Sequence, residues 1–175
     1  MGLLDILRGD ASTKRGSQGD TDTVRRIVGE LDKLDPARAR HLAAFAYVLS
    51  RVVGADLIIS EVETEKIVEI LRRVGQLPEE QALLVAEIAK NQHRLFGGTE
   101  NFLVTREFKE IATDAERREL LDCLFAVSAA DDAITGEEEG QVWQIASELG
   151  FSHREYVEAR LMYSDKRTVL RKPRD

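Results

Sequence analysis

The sequence has little cysteine, proline or aromatic content. Its 175 residues include one cysteine, three prolines and 6% aromatic side chains. A single cysteine excludes an intramolecular disulfide framework and fits a reducing compartment, so we expect a cytoplasmic protein. Cys123 stands among leucines and a phenylalanine, which predicts a buried, unreactive thiol. The scarcity of proline, together with 43% hydrophobic and 33% charged residues, predicts an all-α globular fold.

Long apolar runs and an excess of basic residues are also lacking. No apolar run approaches the roughly 18 residues that span a bilayer, so we expect no transmembrane segment. A net charge of -7 argues against nucleic acid as a ligand, because phosphate binding requires a concentrated basic face. The chain divides into a flexible N-terminal segment, 1–20, a helical domain, 21–165, and a basic tail, 166–175. The tail is either a solvated terminus or a contact for an acidic partner or anionic lipid, which makes the inner membrane face a second candidate location.

Helix boundaries are signalled by a Ser/Thr-x-x-Glu pattern that occurs four times. In such a capping box the hydroxyl accepts a hydrogen bond from the third helical amide, and the glutamate accepts one from the cap amide. Further boundaries are predicted at Asp35-Pro36, at Pro78 and at Gly97-Gly98. Together these signals predict seven to eight helices. The four boxes are Ser60–Glu63, Thr113–Glu116, Thr135–Glu138 and Ser152–Glu155.

One motif occurs twice, 75 residues apart. The stretches 55–63 and 130–138 both reduce to Ala-Asp-x-x-Ile-(Ser/Thr)-x-x-Glu. Apolar residues and a terminating glycine match at the same offset through the following helix. We interpret this as an internal repeat of a helix-loop-helix unit. Because the two copies share apolar faces, we expect one bundle rather than separate domains.

The acidic residues of the motif are the candidate ligands for a metal ion. Asp56 and Asp131 lie at or just beyond the C-terminal ends of predicted helices, where the helix dipole disfavours an anion. Glu63 and Glu138 begin the next helices, on the side predicted to face the core. A short loop would bring each pair together beside free carbonyl groups, an all-oxygen environment preferred by Ca²⁺, Mg²⁺ or Mn²⁺. The alternative is purely structural, with each aspartate accepting loop amides and each glutamate completing its capping box.

The two loops differ in their content of acids. Asp132 and the run 137–139 enrich the second loop, so we expect the second loop to bind a cation more tightly. Neither loop is an EF-hand, because apolar residues stand where that loop requires oxygen ligands: Ile58 and Ile67 in the first loop, Ala133 and Val142 in the second.

Patterns of catalytic residues are not found. The three histidines are widely spaced and are predicted to lie at the surface or at helix ends, and no nucleophile, phosphate-loop or dinucleotide pattern is present. An enzyme would have to use acidic residues alone, so we expect a protein without enzymatic activity.

The duplicated motif resembles the TerB-like tellurite-resistance family, whose usual form is Ala-Asp-Gly-x-Ile-(Ser/Thr)-x-x-Glu. Residues 123–131 and 145–152 support the resemblance, and Leu57 and Asp132 replace the family glycine. The resemblance implies an all-α bundle of two pseudo-repeats that binds divalent cations through acidic residues. It also implies protein partners, membrane-associated ones among them, in tellurite resistance or a related stress response. Its implied metal ligands are Asp56, Glu63, Asp131 and Glu138, and Asp132 adds a further carboxylate. A metal-free adaptor for protein interactions is the alternative function.

Overall fold

The structure is a computed structural model that describes residues 18–53, 60–92, 95, 101–130 and 133–167. The described part of the chain contains eight α-helices and no strand, which confirms the predicted all-α class. A short 3-10 helix, Ser164–Lys166, follows the last of them. The helices are α1 (Gln18–Asp32), α2 (Pro36–Val53), α3 (Glu61–Arg73), α4 (Glu79–Lys90), α5 (Asn101–Ile111), α6 (Asp114–Ala129), α7 (Gly136–Glu148) and α8 (His153–Leu161).

All four predicted capping boxes are present and open α3, α6, α7 and α8. In each box the Ser or Thr hydroxyl accepts from the third helical amide, and the glutamate accepts from the amide of the cap residue. Asp35 likewise accepts from the amide of Ala37, and Pro36 is the first residue of α2. Local hydrogen bonding therefore determines where these helices begin.

Helix α2 is the centre of the fold. It contacts α1, α4, α5, α6 and α7, and its apolar side chains Leu42, Phe45 and Leu49 are almost completely buried. Helices α3 and α6 also contact each other, so both halves of the chain contribute to one core. Cys123 is fully buried in that core, as predicted.

Helix α4 ends earlier than the glycine pair 97–98 predicts. It stops at Lys90: the main chain leaves helical geometry at Asn91 (φ −104°, ψ 15°), whose side-chain amide donates to the Glu87 carbonyl at 2.8 Å. The sequence pattern places Leu95 on the apolar face of this helix; Leu95 is buried, but it lies beyond the end of the helix. Helix α1 begins at Gln18, whereas the sequence pattern predicts a start at Asp22.

The bounds of α3 and α7 differ by the same 75 residues that separate the two motifs. Val52 and Val127, equivalent at that offset, are each 9% exposed at the ends of α2 and α6. The helices that flank the two loops therefore have corresponding positions in the chain. The internal repeat itself stays a prediction.

Candidate functional site

The glutamates of the two motifs have the same hydrogen-bond geometry. The Ser60 amide and hydroxyl donate to Glu63 Oε2 at 2.7 and 2.8 Å, and Ser60 Oγ accepts from the Glu63 amide at 3.2 Å. The Thr135 amide and hydroxyl donate to Glu138 Oε2 at 2.8 and 3.0 Å, and Thr135 Oγ1 accepts from the Glu138 amide at 3.1 Å. In both boxes the cap uses Oε2, so Oε1 stands outside the box.

These glutamates lie closer to solvent than the sequence predicts. Glu63 is exposed and Glu138 is half-buried, whereas the sequence pattern places both on the core-facing side. The Ser60 amide and then its hydroxyl, both donating to the carboxylate, lower the pKa of Glu63 below its ordinary value. Glu63 is therefore a carboxylate at neutral pH, as a cation ligand must be.

The three aspartates named as metal ligands lie outside the described residues. These are Asp56, Asp131 and Asp132. The helix preceding the first of them, α2, ends at Val53, and the helix preceding the other two, α6, ends at Ala129. All three thus follow the C-terminal end of a helix in the chain. Among the described residues, no group of three or more His, Cys, Asp or Glu side chains could hold a metal ion.

The second loop has a neighbour that the sequence did not reveal. Arg167 forms two hydrogen bonds with Glu139, one from Nε to Oε1 and one from Nη2 to Oε2 at 3.1 Å. The two side chains are only 12% and 11% exposed. Glu139 was counted with the acids that enrich this loop, but its pairing with Arg167 uses both carboxylate oxygens. No local pattern links two residues 28 positions apart, so only the fold identifies this pair.

A second buried ion pair joins distant helices. Arg51 Nη1 donates to Glu148 Oε2 at 2.6 Å and to Thr105 Oγ1 at 2.8 Å, which connects α2, α7 and α5. The ion-paired side chains are 6% and 12% exposed. The pair is therefore part of the core rather than of an accessible site.

His41 differs from its predicted place at the surface or at a helix end. It lies within α2, is 7% exposed and contacts the rings of Phe45 and Phe108. Its Nδ1 is 3.2 Å from Glu116 Oε2, so it also reaches the capping box of α6. Burial, partly opposed by Glu116, lowers the pKa of His41. His153 is exposed at the start of α8, as predicted, and His93 lies outside the described residues.

Two adjoining clefts lie on either side of the N-terminal half of α4. One, of about 780 Å³, lies between α3 and α4, and the other, of about 1010 Å³, lies between α1 and α4. Leu83 borders both clefts and is 49% exposed. The lining residues include acids and bases but no cluster that suggests catalysis.

Within the described residues, no helix is long and apolar enough to cross a membrane. The described helices define a class of protein, namely a small all-α bundle in which acidic residues follow the ends of α2 and α6 in the chain.

The comparison with protein families shows which family the chain belongs to. The family described as tellurite resistance protein TerB matches residues 41–161, which is more than half of the chain. The chain belongs to the TerB family. No curated protein and no solved structure matches the chain in the corresponding comparisons.

Proposed function

We propose that this TerB-family protein is a non-enzymatic binding module that holds a divalent cation, Ca²⁺, Mg²⁺ or Mn²⁺, through its acidic inter-helix loops. Asp56 and Glu63 form the first site, and Asp131, Asp132 and Glu138 form the second. Through protein partners, the module acts in tellurite resistance or a related stress response in the cytoplasm, with the inner membrane face as a peripheral location.

The shared geometry of the two glutamates carries this proposal. Glu63 and Glu138 each hold their helix cap through Oε2, which leaves Oε1 outside the capping box. One carboxylate can therefore cap a helix and ligate a hard cation at the same time. In the chain, the aspartates lie between the end of one helix and the cap of the next. Family membership supports the same assignment.

Calorimetric titration with Ca²⁺, Mg²⁺ and Mn²⁺ tests the proposal. We expect wild-type protein to bind at least one of these ions, and Asp131→Ala/Glu138→Ala to lose the tighter site. Metal binding should also raise the melting temperature of the wild type, because a ligand that binds only the folded state stabilises it.

The box Ser152–Glu155 provides a matched control for the loss of a helix cap. It has the same reciprocal capping bonds, but the residues four and three positions before Ser152 are Glu148, which is held in a buried ion pair with Arg51, and Leu149. Glu138→Gln and Glu155→Gln should each cost about 1 kcal/mol of stability or less through the weakened cap. Only Glu138→Gln should weaken cation binding. Equal titrations for both variants would leave capping as the sole role of Glu138.

A metal-free adaptor is the second candidate function, and the clefts beside Leu83 favour it. A half-exposed leucine between two adjoining clefts is suited to contact an apolar side chain of a partner. The titration separates the two functions. If no ion produces heat or a melting shift, the adaptor function stands alone.

A further inference from the structure

The outer face of α4 is an apolar ridge between two clefts. Helix α4 contacts α1, α2 and α3, and its Val85 and Ile88 are fully buried. Leu83 lies on the opposite side of the helix, because an α-helix has about 3.6 residues per turn. Its side chain is half-exposed. Pro78, Glu79 and Leu83 each border both clefts, and we name these residues the α4 ridge.

Apolar side chains line the clefts on both sides of the α4 ridge. In the cleft toward α3 these are Val68 and Leu77, and in the cleft toward α1 they are Leu34 and Leu84. Val68 and Leu34 are half-buried, so part of each side chain is open to solvent. A half-exposed leucine between two such recesses is a knob, and the side chains of a packed helix form the matching hole. The α4 ridge therefore has the shape that receives an amphipathic helix.

The residues that line the clefts carry more acids than bases. Three of the bases form ion pairs with neighbouring acids, at N–O distances of 3.0, 2.8 and 3.2 Å. These pairs are Arg26–Glu87, Lys33–Glu30 and Arg73–Glu69. Within the described part of the chain, the other lining residues with a charge form no ion pair; they are the acids Glu65, Glu79 and Glu80 and the base Arg72. The surface around Leu83 is therefore negatively charged.

We propose that the α4 ridge docks a basic amphipathic helix of a protein partner. The apolar stripe of that helix packs around Leu83, and its lysine or arginine residues lie beside Glu79, Glu80 and Glu65. The inference rests on the adaptor function proposed above and does not involve the cation site. Apolar contact supplies most of the affinity, and the acids select a partner of opposite charge.

The charge of this surface disfavours other occupants. Acidic side chains repel the phosphates of anionic lipid and of nucleic acid. A symmetric dimer through the α4 ridge would place the same acids of two copies against each other, because such an interface uses one surface twice. A basic helix is the occupant that satisfies both the apolar ridge and its acidic surroundings.

Glu79 and Glu80 also have a structural role. Both lie in the first turn of α4, where the helix dipole stabilises an anion, and no side chain caps this helix. Removal of either carboxylate therefore affects stability as well as docking. Binding and melting temperature have to be measured on the same variants.

Two synthetic helical peptides of about 18 residues test the proposal. Both carry the same leucine stripe, with lysine and arginine at the other positions of one peptide and glutamate at those of the second. Fluorescence anisotropy of the labelled peptides is measured with the full chain at low salt, with a chelator present. We expect the basic peptide to bind, and the acidic peptide to bind at least about tenfold more weakly.

The variant Leu83→Ala locates the binding site. It should weaken binding of the basic peptide about tenfold, because it removes the knob at the centre of the contact. Leu103→Ala is the matched control, since Leu103 of α5 is 53% exposed, close to the 49% of Leu83, and borders neither cleft. The control should bind the peptide as the wild type does. Leu83 is half-exposed, so Leu83→Ala should also keep the melting temperature of the wild type.

The variant Glu79→Gln tests the role of charge. At low salt it should weaken binding of the basic peptide about two- to threefold, and the difference should vanish at high salt because exposed charges are screened. Glu61→Gln is its control, since Glu61 is likewise an exposed acid in the first turn of a helix, α3, and borders neither cleft. The control should leave the affinity unchanged, although both variants alter a helix terminus.

The outcomes distinguish this docking surface from the other proposals. If neither peptide binds, or if both bind equally well, the inference is wrong. If the basic peptide binds wild type and Leu83→Ala equally well, the helix docks elsewhere, so the α4 ridge is wrong and the adaptor function stands. Sedimentation that shows a dimer abolished by Leu83→Ala would assign the α4 ridge to a second copy and overturn the inference. The cation site is judged by the metal titration alone.

Discussion

The pKa values of single side chains in this protein depend on the groups that surround them in the fold. His41 shows this best, because its ring lies between phenylalanines and beside Glu116. Burial lowers the pKa of His41, Glu116 raises it in part, and Arg38 lowers it further. Burial also acts to raise the pKa of Glu116, but the hydrogen bonds from Thr113 and the nearby basic groups together hold it below its ordinary value. The folded state therefore favours a neutral imidazole beside an ionised carboxylate.

The lowered pKa of His41 predicts a loss of stability in mild acid. Below its unfolded value of about 6.5, the unfolded chain binds a proton more readily than the folded one, so stability falls as pH falls through that value. The melting temperature of the wild type should drop between about pH 7 and pH 5.5, and His41→Gln should show a smaller drop. His153→Gln, at an exposed histidine, should behave like the wild type. Parallel melting curves for wild type and His41→Gln would contradict this account.

Helices are the scale at which the sequence was most informative. The four capping boxes predicted the starts of α3, α6, α7 and α8, because a cap is made by residues three positions apart. The end of α4 was missed, since the single asparagine that follows its last residue gives a weaker signal than a glycine pair. The pairs Arg51–Glu148 and Arg167–Glu139 could not be predicted, because no local pattern brings together residues that are distant in the chain. The site was predicted as two sets of acids, and the contact of Arg167 with Ile134 and Glu139 was not foreseen.

Close approach of α3 and α6 makes Gly75 sensitive to substitution. A Cβ at this position would lie 2.8 Å from the Leu71 carbonyl oxygen and 3.0 Å from the Cys123 sulfur. Gly75→Ala should therefore destabilise the protein by about 1 to 3 kcal/mol, as overpacking does. Gly140→Ala in α7 is the control, because its Cβ would meet nothing within 4 Å. We expect it to stabilise the protein by roughly 0.5 to 1 kcal/mol through helix propensity. Urea denaturation measures the stability of both variants, and equal changes in stability would contradict the packing argument.

At the scale of the whole molecule, we expect the described residues to unfold as one cooperative unit. Both halves of the chain contribute to a single core centred on α2. The Arg51–Glu148 pair joins residues 97 positions apart within it. Local opening of one half would break this pair, so we expect the halves to unfold together.

Removal of one partner of this pair should destabilise the whole bundle. Arg51→Met leaves the Glu148 carboxylate buried without its counter-ion, at a cost of about 3 to 5 kcal/mol. The double variant Arg51→Met/Glu148→Leu should recover much of that loss, because an apolar pair of similar volume replaces the ions. Urea midpoints followed by circular dichroism and by Trp143 fluorescence should coincide in each protein. A double variant no more stable than Arg51→Met would contradict the ion-pair explanation.

The enclosed cysteine gives the protein a practical property. Burial raises the pKa of Cys123 to about 12, and the charges of Asp122 and Glu119 add to this effect. Its sulfur lies close to Gly75, just after the end of α3. Thiol-directed dyes react with the exposed thiolate, a form that Cys123 does not offer in the folded state. A second cysteine introduced on the outside of the bundle would accept a fluorophore or spin label at that position alone, so the native sequence needs no prior cysteine removal.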